Sequence, residues 1–121
     1  MTEWNTAELT RLHDVVEILI TPAPSGGAEH PGRLVWVLEI DGRVFVRSWK
    51  GPNAVWYRDA LRTHRAHIAG GEIDVAVALQ DSHDVDELVD AAFLAKYPPE
   101  YAVQMNLPLA RGTTLELFPI R

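Results

Sequence analysis

The stretch RLVWVLEIDGRVFVRS, Arg33–Ser48, decides the fold. Two runs rich in β-branched and aromatic residues flank Asp41-Gly42, and glycine takes the positive φ that a type I′ turn demands. A β-hairpin with arms Arg33–Ile40 and Arg43–Ser48 is therefore expected. Upstream, VVEILIT (Val15–Thr21) reads as a strand stopped by Pro22, and PAPSGGAEHPG (Pro22–Gly32) is a loop of chain breakers. Before that strand, Thr6 predicts an N-cap, and Leu9, Leu12 and Val15 form a short apolar stripe, so a brief helix ends near Asp14.

Downstream of the hairpin, Gly51-Pro52-Asn53 breaks the chain, and Asn53 offers an N-cap for a helix over Val55–Arg65. A second hairpin is predicted from His67–Ala69 and Glu72–Leu79 across Gly70-Gly71. Its second arm puts Ile73, Val75, Val77 and Leu79 on one face and the small Ala76 and Ala78 on the other. DVDELVDAAFLAKY (Asp84–Tyr97) has helical spacing, acids in its first turns and Lys96 near its end, and Pro98-Pro99 stops it. Glu100–Met105 reads as a further turn or helix, and TTLELFPI (Thr113–Ile120) as a last strand whose Pro119 points to a sheet edge. The expected architecture is α+β: a small six-stranded, mainly antiparallel split β-barrel with two or three outer helices, an open sandwich being the alternative.

The 121 residues fit one domain, 1–121, and exclude a two-domain enzyme. With 47% hydrophobic and 23% charged residues the chain can repay the entropy of ordering. It contains no cysteine, which excludes disulfides, thiolate nucleophiles and sulfur-ligated metals. No apolar run reaches membrane-spanning length, and Glu3, Glu8 and Arg11 interrupt the first twelve residues, so a cytoplasmic protein without a membrane partner is expected. A net charge of −6 argues against nucleic acid as a partner. The charge is uneven: Arg33–Arg65 carries seven cations and three anions, whereas Ala66–Tyr101 carries eight anions and Lys96 alone. Such asymmetry suits either a basic mouth for a small anion or ordinary clustering of surface charge.

The usual catalytic signatures are missing: no G-x-S-x-G elbow, P-loop, G-x-G-x-x-G, H-E-x-x-H or recognisable triad. His64 and His67 read as surface histidines, and no metal is expected. The informative segment is RVFVRSWKGPNAVWYRDAL, Arg43–Leu61. There a strand end, the cations Arg47 and Lys50, a sharp Gly51 bend and a helix start near Asn53 converge, which is a recognisable way to hold a phosphorylated small ligand. Trp49, Trp56 and Tyr57 could wall a flat ring, although Trp56 and Tyr57 also read as core or interface aromatics. The candidate binding residues are Arg47, Ser48, Trp49, Lys50, Asn53, Trp56 and Tyr57. Arg58, Arg62 and Arg65 line one helix face as a solvated side or as partners of the acidic segment.

Val15–Ile120 resembles the split β-barrel superfamily of flavin- and deazaflavin-binding proteins, which includes the pyridoxamine-phosphate-oxidase-like proteins and the deazaflavin-dependent nitroreductases. Within it the sequence is most like an uncharacterised bacterial family. The residues that carry the likeness are TPAPSGG (Thr21–Gly27), the Asp41-Gly42 hairpin and RSWKGPNAVWY (Arg47–Tyr57). The resemblance implies FMN or a deazaflavin as coenzyme, with Arg47 and Lys50 on its phosphate and the backbone around Ser48 and Trp49 facing its ring. It also implies a homodimer that passes hydride to a small organic acceptor. The deazaflavin nitroreductases usually place Arg or Lys in the loop after the first strand, whereas Pro22–Gly32 contains no cation. That departure favours the alternative, a non-catalytic module that kept the barrel and lost the coenzyme.

Overall fold

A computed structural model describes residues 3–121. The chain opens with α1 (Thr6–Asp14), where Asn5, not Thr6, is the cap: its side chain accepts from the Glu8 N–H while Glu8 reaches back to the Asn5 N–H. Then come β1 (Glu17–Pro22), β2 (Arg33–Trp36), β3 (Leu38–Ile40) and β4 (Arg43–Val46). A 3-10 turn (Gly51–Asn53) precedes α2 (Val55–Thr63), β5 (Arg65–Gly70) and β6 (Ile73–Asp81). Three helices, α3 (Asp86–Lys96), α4 (Pro99–Met105) and α5 (Pro108–Arg111), lead into β7 (Leu115–Pro119). None of the described helices is long and apolar enough to cross a membrane.

All strand pairings are antiparallel, in the order β2-β1-β5-β6-β7-β4-β3. The two edge strands, β2 and β3, are consecutive in the chain and separated only by Val37, so the sheet bends round until its edges meet and forms a nearly closed barrel. Among the described residues there are seven strands rather than six because Arg33–Ile40, which has the pattern of one strand, is divided at Val37. The division has a cause far away in sequence. The Val37 N–H donates to the Tyr97 hydroxyl at 3.1 Å, and the Val37 carbonyl accepts from Lys96 Nζ at 2.7 Å, so α3 satisfies the backbone groups that a neighbouring strand would otherwise pair. Tyr97 also donates to the Val16 carbonyl at 2.5 Å.

Both turns carry left-handed residues: Asp41 and Gly42 have φ of 49° and 86°, and the second hairpin turns at Gly71 and Glu72, one residue later than expected. Alternation along the strands then builds two cores. Ile18, Ile20, Val35, Val37, Val44, Val46, Ile68, Val77, Leu79, Leu115 and Leu117 fill the barrel, closed by Leu12 of α1 and by Trp56, Tyr57 and Ala60 of α2. Phe45 and Leu38 point the other way and meet Val89, Phe93, Tyr97, Ala102, Met105 and Ala110 of α3–α5. β7 lies between β6 and β4, so Pro119 is not on an edge; it is the last residue of its strand, and the ladder continues through the Ile120 N–H to the Ala76 carbonyl.

Candidate functional site

The bend leaving β4 is shaped by hydrogen bonds that the local sequence does not announce. The Ser48 N–H donates to Thr113 Oγ1 at 2.8 Å, Ser48 Oγ donates to the Gly51 carbonyl at 2.7 Å, and the Gly51 N–H returns to the Ser48 carbonyl at 2.9 Å. Gly51 has φ of 69° and lies against Leu109 of α5, where a Cβ would overlap the leucine side chain. Glycine is therefore required there for both conformation and space.

This bend separates the two cations that the sequence placed side by side. Arg47 continues the parity of Phe45 and turns under α3–α5, where it is fully buried. Each of its guanidinium nitrogens already has protein acceptors: Nε donates to Thr114 Oγ1 at 2.8 Å, one terminal nitrogen to Asp90 (2.6 Å), the Met105 carbonyl (3.0 Å) and Asn106 (3.1 Å), and the other to Asp86 at 3.4 Å. Its Cζ also lies over the Phe93 ring, 5.5 Å from the ring centroid. Strand parity sends Arg47 inward, where carboxylates of the acidic segment occupy the donors expected for a ligand phosphate. Arg43 is used in a similar way, with Glu116 at 2.7 Å and Asp84 at 3.0 Å; the arginine holds the Asp84 carboxyl at a pKa of about 2. Two of the seven cations, Arg43 and Arg47, thus tie the sheet to Asp84, Asp86 and Asp90 of the acidic segment.

Lys50, beyond the bend, is exposed. It lines a cleft of about 340 Å3 with Trp49, Trp56, Ala54 and Val55 on one side and Arg33, Leu34, Val35 and Trp36 of β2 on the other. Glu17, Arg47, Ser48 and Met105 complete the lining. Trp36 stacks on Tyr97 with ring centroids 4.0 Å apart and nearly parallel planes, and Trp49 meets Trp36 edge-on at 6.1 Å. The tyrosine beneath is thereby buried, which pushes its hydroxyl up to about 12.

Of the expected site residues, Arg47, Ser48, Trp49, Lys50 and Trp56 line this cleft, whereas Asn53 and Tyr57 do not. Asn53 is exposed within the 3-10 turn, and the cap of α2 is Ala54, which has no side-chain hydrogen bond to give. Tyr57 is packed in the barrel core, edge-on to Trp56, and burial raises its pKa. The sequence reading missed Arg33, Leu34 and Trp36. Their signal was the alternation of Arg33–Ile40, which puts Leu34 and Trp36 on one face, but which loop that face meets depends on barrel closure.

No curated protein sequence matches the chain. Among solved structures, the fold is similar to that of a protein of unknown function from Agrobacterium tumefaciens str. C58, with a TM-score of 0.57 and 12% identity. The similarity covers 97% of this chain and 54% of that one, so this chain spans about half the length of its structural relative. A family model described as an uncharacterised protein conserved in bacteria matches residues 8–117, and the chain therefore belongs to that family, DUF2255.

Proposed function

We propose that the cleft beside Lys50 binds a phosphorylated ligand with a flat ring system, a flavin such as FMN or a deazaflavin, and that the chain acts with it as an oxidoreductase on a small organic acceptor. The observation that carries this reading is the meeting of Trp36, Trp49 and Trp56 with Lys50 and Arg33 around one cleft. Indole faces suit a flat apolar ring, and the two cations suit a phosphate. The cleft volume falls within the range of ligand pockets, about 300–1,000 Å3. The first-turn N–H groups of α2 have no side-chain cap, which leaves donors free beside the same cleft. A bound coenzyme of this kind supplies the hydride chemistry; the residues of the chain hold, orient and desolvate it.

Trp49, Leu34 and Val55 at the cleft rim are each half exposed or more, and covering them in a homodimer is part of the proposal. A specific observation favours the second reading, a barrel that binds no coenzyme: Arg47 is committed to internal partners and the loop 23–32 holds no cation. Titration with FMN and with a deazaflavin coenzyme separates the two. Quenching of tryptophan fluorescence and retention of the coenzyme through gel filtration support binding, and Lys50→Ala should then weaken affinity by about 1.5–3 kcal/mol. A colourless dimer with no titration response to either compound would refute it.

A further inference from the structure

The loop 23–32 carries a side-chain cluster that the cleft does not use. Ser25 and Ala28 exchange backbone hydrogen bonds of 3.0 Å across Gly26 and Gly27, whose φ values are 59° and 78°. Successive left-handed positions are a glycine conformation, and the turn clamps the Ser25 backbone. Ser25 Oγ lies 2.7 Å from His30 Nε2, and His30 Nδ1 lies 3.4 Å from Asp59 Oδ2 on α2. The histidine and aspartate side chains are only 13% and 10% exposed. In the tautomer that carries its proton on the Nδ1 facing Asp59, Nε2 accepts the serine hydroxyl hydrogen. Arg62 Nε lies 3.5 Å from the other oxygen.

We propose that Ser25 is a nucleophile for small activated acyl esters, with His30 as general base and Asp59 as the positioning residue that orients the imidazole. The order of serine, histidine and carboxylate is the one that activates a hydroxyl group. A Cβ built on Gly26 or Gly27 meets nothing within 4 Å, so the turn next to Ser25 faces open space. The N–H groups of these glycines make no backbone hydrogen bond among the described residues; unpaired amide donors of this kind stabilise an oxyanion where they face it. In the reaction, Ser25 Oγ bonds to the carbonyl carbon as its proton passes to His30 Nε2. The ester C–O bond then breaks and the departing alkoxide takes that proton. Water, deprotonated in turn by His30, bonds to the acyl carbon; the Ser25 Oγ–acyl bond breaks, and the proton on His30 passes to the serine oxygen as the acid leaves.

The same contacts also pin the loop to α2, so chemical reactivity is the required readout. The full chain is incubated with diisopropyl fluorophosphate, which forms a Ser25 Oγ–P bond as the P–F bond breaks and fluoride leaves, the serine proton passing to His30. Peptide mapping should place the adduct on Ser25, with none at that position in Ser25→Ala. His30→Gln should label about a hundredfold more slowly, the scale of a positioned general base. Hydrolysis of 4-nitrophenyl acetate should show a burst in the wild type and none in Ser25→Ala. Asp59→Asn should slow labelling in protein that is still fully folded at the assay temperature, and Asp59→Glu should restore part of the rate. No adduct on Ser25, or equal labelling in His30→Gln, would overturn the proposal and leave the cluster a loop latch; wild-type labelling in Asp59→Asn would remove Asp59 from it.

Discussion

Replacing Arg47 with methionine keeps much of its volume and removes its charge, which separates a structural role from a ligand-binding one. In the wild type the guanidinium is fully buried and donates to Thr114, Asp90, Asp86, Asn106 and the Met105 carbonyl. Without it, Asp90 is left among the described residues with Arg111, at 2.9 Å, and Asp86 with His83, at 2.8 Å, and the Thr114 side chain. Removing one partner of a buried ion pair costs about 3–5 kcal/mol, because the groups left behind stay desolvated. For a domain of this size that corresponds to a fall in Tm of roughly 10–20 °C, and against a total stability of about 5–15 kcal/mol the variant can be largely unfolded. Urea unfolding followed by tryptophan fluorescence measures the loss. Arg47→Met combined with Asp90→Asn should cost less than the two single changes together, by about 0.5–3 kcal/mol. A single variant that loses under about 1 kcal/mol, or a well-folded one that merely fails to bind coenzyme, would refute the structural assignment of Arg47.

Tyr97→Phe removes the hydroxyl that serves Val16 and Val37 and should cost about 1–3 kcal/mol by leaving buried backbone groups unpaired; chemical unfolding checks it. Gly51→Ala should destabilise through positive φ and overlap with Leu109, and Gly51→Ala with Leu109→Ala should recover part of the loss; full recovery would show that backbone strain contributes nothing. Burial lowers the Lys96 pKa from 10.5 to about 8, so the unfolded chain binds more protons in that window, and stability should rise as pH climbs from 8 toward 10.5. The buried Tyr97 hydroxyl acts oppositely: its contribution is complete below pH 10 and is lost as pH approaches 12, so Tyr97→Phe should soften the alkaline fall in a pH series of urea midpoints.

The two cores explain why the bend after β4 has two separate roles. Its inward half, Arg47 and Ser48, fastens the sheet to α3–α5 and to Thr113 and Thr114 before β7. Its outward half, Trp49 and Lys50, is held in place by that anchoring and shapes the cleft. A rigid support beneath exposed groups is what a binding site requires, since ordering them in advance removes that cost from association.

What the sequence determined alone was local. The Asp41-Gly42 turn, the apolar face of β6 and the proline stop after α3 are each specified within a few residues, by steric limits on φ, by side-chain alternation and by a missing N–H. Only the tertiary structure decided features whose partners lie far along the chain. Val37 divides its strand because Tyr97 and Lys96 reach it from α3. Arg47 faces inward and Lys50 outward because barrel closure fixes which side of β4 the acidic helices cover. Ser25, His30 and Asp59 form no motif in the sequence and meet only when the loop folds onto α2. The reason is common to all three: propensity and periodicity act through neighbouring residues, whereas the partner of a buried polar group is chosen by whichever distant element packs against it.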